Sequence, residues 1–372
     1  MRGTIERYGK GWRYRAEVGR DPATGRRKFV SKGGFATQGE ARRALNKKLV
    51  EIDDGTHVER RRITVADYLD EWFEGAEHDL RPTSAAGYRR AIVKLKATLG
   101  HRQLQELTPA MVEASYRQHR KDGLAPKTIL NTHSVLRKAL NDAERLGLVQ
   151  RNVARSAKRP KVLRAEQATW SADQLSEFLN SIRDDPYFGV YLTAATTGLR
   201  RGELLGLGWP AVDLDSGSLS VVRTRTMASS KEVEGETKTD RSRRRISLDP
   251  MTVEMLRRLH RDQLEQRKVA GPAWIETGLV FTDAIGRGVS PDAVSQHFAI
   301  LVKRSSLPYV RLHDLRHTHA TLALKAGVHP KVVSERLGHA GIGITLDLYS
   351  HVSPGMDRDA ANAVAGQLSI DL

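Results

Sequence analysis

Two charged connectors set the limits on how this chain can fold. "THVERRR", residues 56–62, and "RNVARSAKRPKVLRAEQ", from residue 151, are rich in Arg and Lys, and the second carries Pro160. A shift to charge with proline marks a boundary between packed segments. The 372-residue chain is therefore expected to divide into a module at 1–55, a domain at 63–150, a basic linker at 151–168 and a domain at 169–372. Each packed piece must bury its own core.

Within the first piece, "WRYRAEVG" and "RKFVSKGG" alternate as strands do, with the turn "DPATGRR" between them. "GFATQGEARRALNKKLVEIDDG" reads as a helix capped by Thr37 with Glu40 three residues on. In the second piece Val65, Tyr68, Leu69, Trp72, Phe73 and Ala76 form one helical stripe, with Thr64 and Asp67 marking its start. Further helices follow Pro82, the pair Thr108–Pro109, and Pro126, which gives an all-α domain. The third piece opens on the cap Ser171 with Gln174 and is mostly helical. A small antiparallel sheet is expected near 212–248, from "SGSLSVVRTRT" and "RRRISL". The fold class is thus α+β and multidomain: a small sheet-plus-helix module, an all-α domain and a mainly α domain with a small sheet.

Charge narrows the function. The formal net charge is +17 and the isoelectric point is near 10.1. Residues 1–62 carry 17 Lys+Arg against 8 Asp+Glu, a net of +9, about half of the excess. Such a balance suits a polyanionic partner, nucleic acid first. No cysteine is present, which excludes disulfides, thiol nucleophiles and cysteine zinc sites. No apolar run reaches the ~18 residues of a membrane span, and "MRGTIERYGKGWRYRAE" lacks the apolar core of a secretory signal, so a cytoplasmic protein is expected. Candidate DNA contacts are Trp12, Arg13, Arg15 and Lys28 on the N-terminal strands, Arg89 and Lys127 on the helical domain, and Arg155, Lys158 and Arg159 in the linker.

"RLHDLRHTHA", residues 311–320, raises a separate question. His313 and His317 fall on one helical face at a spacing used for metal ligands, with His319 beside them. Arg316 stands among them, and a cation beside a dication is a poor arrangement, which argues against a metal.

Four segments in order answer it: "TGLRRGELLGL" at 197–207, "TKTDRSRRRISL" at 237–248, "LHDLRHTHA" from 312 and "LGHAGIGITLDLYSHV" at 337–352. Together they resemble the tyrosine recombinase family of the phage-integrase type. The likeness is strong over 165–353. It extends to 63–150 as a SAM-like core-binding domain and to 1–55 as an arm-type-site-binding module. The resemblance implies that Arg200 and Arg316 hold the scissile phosphate, a task suited to the planar, permanently charged guanidinium. It implies that His313 does acid–base work, that His339 bonds the phosphate, that Lys238 protonates the departing 5′ oxygen and that Tyr349 is the nucleophile. Glu203, three residues beyond Arg200, would orient the site or help to hold His313. Arg201 and Lys231 are neighbours that the pattern passes over.

The same resemblance implies a site-specific recombinase that integrates and excises a phage or other mobile element through a 3′-phosphotyrosyl intermediate, with no metal, ATP or other cofactor. Its partners would be double-stranded DNA at core and arm attachment sites, three further copies of itself in a tetramer, and an excisionase or host DNA-bending protein. The setting would be the nucleoid of a bacterial host. The two larger domains would close on the duplex, and the tail "MDRDAANAVAGQLSIDL" would dock on a neighbour or on its own domain. Two alternatives stay open on the residues alone: DNA relaxation of the type IB topoisomerase kind, and a non-enzymatic DNA-binding regulator.

Overall fold

Polar caps and prolines start most of the helices. Thr37, Thr64 and Ser171 each accept a bond from the amide three residues on, while Glu40, Asp67 and Gln174 reach back to the cap amide. Each such cap stabilises its helix by about 1 kcal/mol. The computed structural model describes residues 3–20, 24–54, 62–162, 168–228, 231–236, 243–339, 341–343 and 345–346. The chain forms two units, residues 1–164 and 165–372.

The first unit begins with three antiparallel strands, β1 (Gly3–Tyr8), β2 (Gly11–Arg20) and β3 (Arg27–Phe35), in the order β1-β2-β3. Helix α1 (Gln38–Asp53) covers one face, where Tyr14, Ala16 and Leu45 are buried with Ile5, Val30 and Phe35 around them. Strand β1 is an addition to the two strands expected from sequence. Its one strong apolar residue, Ile5, pairs with Tyr14 over the core.

The helical region holds α2 (Val65–Glu77), α3 (Pro82–Leu99), α4 (Pro109–Lys121), α5 (Pro126–Arg145) and the short α6 (Val153–Ser156). Leu69, Leu95, Leu104, Ile129, Leu136 and Leu140 are among its fully buried residues. Two polar anchors fix α2 on α5: the Tyr68 hydroxyl donates to the Ala139 carbonyl at 2.6 Å, and Trp72 Nε1 donates to Asp142 at 2.8 Å. The core runs on into the expected linker. Val153, Ala154 and Ala157 are buried in the same cluster, and Asn152 caps α6 while donating to the Arg137 carbonyl. A basic sequence hid these small apolar residues.

The second unit comprises α7 (Ala172–Ser181), α8 (Phe188–Thr197), α9 (Arg201–Leu205), β4 (Val212–Asp213), β5 (Ser218–Val221), β6 (Arg223–Ala228), β7 (Lys231–Glu236), β8 (Arg244–Ser247), α10 (Pro250–Ala270), α11 (Pro291–Arg304), α12 (Asp314–Lys325) and α13 (Pro330–Leu337). The antiparallel sheet β4-β5-β8 and the hairpin β6–β7 lie where the sequence placed a small sheet. The core gathers Trp170, Phe178, Tyr191 and Phe298, with ring centroids 4.8–6.2 Å apart across the Trp170, Phe178 and Phe298 pairs. Trp170 Nε1 donates to the Pro308 carbonyl and its backbone N–H to Thr318, which seats the start of the unit on α12. Among the described residues, no helix is long and apolar enough to cross a membrane.

Candidate active site

Gly198 ends α8 in the left-handed conformation, with φ at +65°. That turn sends the chain directly into Arg200, which is extended and stands just before α9. Arg200 therefore caps α9. Its backbone N–H donates to Glu203 Oε2 at 3.0 Å and its Nη1 to Oε1 at 2.7 Å. Its Nη2 donates to the Gly338 carbonyl at 2.8 Å. The Arg200 side chain is 39% exposed and that of Glu203 only 3%, so an incoming anion meets the guanidinium and not the carboxylate. Arg201 turns the other way and donates to the Pro291 carbonyl, Asp292 and Ser295.

Arg316 lies on α12, 4% exposed. Nη1 donates to the Gly198 carbonyl at 2.8 Å and Nη2 to the Leu337 carbonyl at 2.6 Å. Burial, and then the nearby Arg200 charge, hold its pKa down to about 9, so it stays charged at neutral pH. Among the described residues, no carboxylate lies within ion-pair distance of it, although Glu203 is near enough to favour its charge.

A third guanidinium completes the arrangement. Arg244 on β8 donates from Nη1 and Nη2 to the two Glu203 oxygens at 3.2 and 2.9 Å, and from Nε to the Arg336 carbonyl at 2.7 Å. Arg244, Arg316 and Arg200 thus grip three successive carbonyls, those of Arg336, Leu337 and Gly338. These are the last carbonyls of α13, where helical partners run out and the helix dipole is negative. Burial would raise the Glu203 pKa, but the bonds and charge of Arg244, then of Arg200, bring it below the usual carboxylate range. Three guanidiniums around one ionised carboxylate leave a surplus of positive charge, the electrostatics of an anion site.

The residue after that grip is His339. Its Nδ1 shares a 2.8 Å hydrogen bond with the Thr345 hydroxyl. Burial, then Arg316 and Arg200, push its pKa down to about 4, so it is neutral at pH 7. His313 sits immediately before α12, exposed on one side and edge-on to His317 with centroids 5.4 Å apart. Burial of its packed side, then His317 and Arg316, hold it at about 4. Asp314 is occupied by Arg311, which bonds it through its backbone N–H, Nε and Nη2.

His319 stands apart from this group. Its Nδ1 bonds the Ala195 carbonyl at 3.0 Å, which requires the proton on Nδ1, and its Nε2 accepts from Arg336 Nε at 3.3 Å. With both nitrogens engaged it is a packing residue, which removes the third ligand from the metal reading of the histidine-rich stretch. Glu203, for which the sequence left two roles open, bonds the two arginines. Lys238 and Tyr349, and the tail from residue 356, lie outside the described residues.

Sequence reasoning misses Arg244. A signal existed: on a strand, residues two apart share a face. Arg244 shares its face with buried Ile246, whereas Arg245 points outward.

The candidate DNA contacts fall on several surfaces. Arg13 and Arg15 lie on the sheet face away from α1, each stacked on an exposed ring: Arg13 over Tyr8 at 4.1 Å, Arg15 over Phe29 at 3.9 Å. Arg13 also pairs with Glu6. Trp12 stands apart from these two arginines. It shares the strand parity of Tyr14 and Ala16 and so lies on the opposite side from Arg13 and Arg15. Lys28 is half-buried opposite Gly19. Arg89 pairs with Glu77 and covers Phe73. Lys127 is exposed at the start of α5; Arg155 bonds Asn141 and Glu144; Lys158 and Arg159 are exposed.

Residues 161–356, more than half of the chain, match the profile of the phage integrase family. The chain belongs to the phage integrase family. In this integrase, residues 4–52 match an arm DNA-binding domain and residues 64–119 the N-terminal SAM-like domain of phage integrases. The integrase is 26% identical over 361 residues to a XerC-like tyrosine recombinase of Caldanaerobacter subterraneus subsp. tengcongensis, covering 91% of each chain. The Tn1549 transposon integrase, solved with a circular intermediate DNA, shares its fold with a TM-score of 0.70 at 22% identity, covering 81% of this chain and 99% of that one. A lambda integrase, solved as a tetramer bound to a Holliday junction, shares it with a TM-score of 0.59 at 17% identity, covering 92% and 94%. The integrase is a tyrosine recombinase, a DNA strand-transferring enzyme of site-specific integration and excision.

Proposed function

We propose that Arg200, Arg316 and His339 hold the scissile phosphate of an attachment-site duplex while Tyr349 attacks it. The observation that carries this reading is the convergence of Arg200 and Arg244 on one buried carboxylate, and of both with Arg316 on the α13 carbonyls next to His339. Phosphoryl transfer depends on placing the phosphorus and on stabilising charge on its nonbridging oxygens. Arg200 has the exposed fork, and Arg316 has N–H groups beyond the two that anchor it. In the tautomer that lets the Thr345 hydroxyl donate to His339 Nδ1, the His339 proton sits on Nε2 as a third donor.

The Tyr349 oxygen forms a bond to phosphorus and the bond to the 5′ oxygen breaks. Lys238 gives a proton to that leaving oxygen. His313, neutral at pH 7, takes the proton from the phenol. A 5′ hydroxyl of another duplex then reverses the step on the 3′-phosphotyrosyl bond, so the phosphodiester is conserved and no ATP is consumed. The N-terminal module would bind arm sites and the two larger domains core sites. Four copies would act on two duplexes, a reading supported by the lambda integrase tetramer bound to a Holliday junction, with a cytoplasmic, nucleoid-bound setting and an excisionase or DNA-bending protein as accessory.

The test is incubation with a nicked attachment-site duplex in EDTA, read on a denaturing gel. A covalent protein–DNA adduct is expected, together with its loss in Tyr349→Phe and strand exchange when a second site is added. No adduct from the wild type would favour a non-enzymatic regulator. An adduct with relaxation but no exchange would favour a topoisomerase.

A further inference from the structure

We infer that Arg244 is a positioning residue for strand cleavage: it shares the Glu203 carboxylate and so keeps the Arg200 charge available to phosphate. This rests on the reading of Arg200 as a phosphate clamp. The Glu203 side chain is 3% exposed and cannot draw compensation from water. A buried carboxylate has to be matched by positive charge. With Arg200 alone as its partner, the pair would be neutral toward a third charge, and the clamp would approach phosphate with its field cancelled. Arg244 changes that balance. It bonds both Glu203 oxygens, where the Arg200 guanidinium bonds one, and its third anchor is the Arg336 carbonyl.

The trio therefore keeps one net positive charge, and the exposed member carries it outward. The Arg244 side chain is 8% exposed against 39% for Arg200, so Arg244 acts through Glu203 rather than by touching DNA. It also ties the clamp to β8, whose start follows Lys238 by six residues in the chain. A purely structural staple would satisfy the same bonds, and the two roles separate in a double variant.

Single-turnover cleavage of a nicked core-site duplex is measured for wild type, Arg244→Gln, Arg244→Gln with Glu203→Gln, and Arg244→Lys, with core-site binding in parallel. Arg244→Gln is expected to slow cleavage about 10–100-fold, on the scale of losing part of one preorganised charge. Its affinity for core DNA stays within about threefold, because many other cations meet the backbone. Adding Glu203→Gln removes the carboxylate that now neutralises Arg200, and cleavage recovers by at least about fivefold. Arg244→Lys keeps the charge and stays within about tenfold of wild type. A double variant no faster than Arg244→Gln, an Arg244→Gln enzyme at the wild-type rate, or a folded Arg244→Lys enzyme as slow as the Gln variant overturns the inference. Should Arg244→Gln fail to fold, the Lys variant decides. A wild-type protein that forms no adduct sinks the parent reading instead, so the two failures are distinguishable.

Discussion

Arg316 donates to the Leu337 carbonyl at 2.6 Å, and this bond joins α12 to the last turn of α13 from inside the protein. The same guanidinium holds the Gly198 carbonyl, so one side chain fixes three helix ends. Arg316→Ala is expected to lower single-turnover cleavage by about 10²–10³-fold, the range for losing one transition-state donor. It also leaves two buried carbonyls unpartnered, at about 1–3 kcal/mol each, so the melting temperature falls as well. Core-site affinity should change by less than about fivefold, since many phosphate contacts remain. Gel-shift and cleavage assays on the same duplex check this. Equal losses in both would remove Arg316 from the clamp.

Gly198 should be nearly irreplaceable for two separate reasons. Its φ of +65° is one that side chains with a Cβ rarely adopt. A Cβ there would also stand 2.5 Å from Leu337 Cδ2 and 2.9 Å from His319 Cδ2. Gly198→Ala therefore costs about 1 kcal/mol of backbone strain plus roughly 1–3 kcal/mol of overpacking. Because its carbonyl anchors Arg316, cleavage should fall further than stability explains. Melting curves and cleavage rates below the transition test the pair of effects. A fully stable, fully active variant would mean that this carbonyl does not set the position of Arg316.

On the N-terminal sheet, Arg15 rests 3.9 Å above the exposed Phe29 ring. A stacked guanidinium loses less freedom on meeting phosphate or a base edge, and the ring adds about 0.5–1 kcal/mol at an exposed site. Arg15→Ala should weaken arm-site binding about 5–50-fold. Phe29→Ala should weaken it by a smaller factor in the same direction. Both should leave cleavage of a minimal core site unchanged. Trp12→Ala, on the other sheet face, should act through stability. Fluorescence binding to arm-site and core-site duplexes separates these outcomes, and an Arg15→Ala protein that loses core cleavage contradicts the division of labour.

Much of this architecture was legible because local chemistry wrote it. Thr37 with Glu40, Thr64 with Asp67 and Ser171 with Gln174 announced helix starts, and each pair makes its reciprocal bonds. Pro82, Pro109 and Pro126 stand at the first position of their helices. The hidden features depend on partners far away in sequence. Strand β1 has little pattern of its own and is held by pairing with β2. Val153, Ala154 and Ala157 looked like linker because Arg and Lys surround them, yet their small side chains fit the helical core. In the site, Arg200 and Arg316 came from motif order, but the carbonyls they grip carry no sequence identity. Arg244 sat in a run of three arginines, and only its buried strand neighbour told it apart.

His319 carries the clearest pH dependence. Its Nδ1–H donates to the Ala195 carbonyl and its Nε2 accepts from Arg336, so the folded site requires the neutral ring. Burial, then the Arg336 charge, push its pKa down to about 4, while an unfolded histidine titrates near ~6.5. Above pH 6.5 neither state binds the proton and the full stabilisation is present. As pH falls from 6.5 toward 4 the unfolded chain takes the proton first, and stability drains away across that window. His313 and His339 are shifted the same way and add to the slope. His319→Gln supplies an amide N–H for Ala195 and an oxygen for Arg336 but cannot titrate. Its melting temperature should therefore fall less than that of the wild type between pH 7 and pH 5, by roughly 2–4 °C for each kcal/mol of linkage removed in a unit of about 200 residues. Thermal melts across that range measure the difference directly. Parallel curves for the two proteins would show that His319 keeps an ordinary pKa in the folded state.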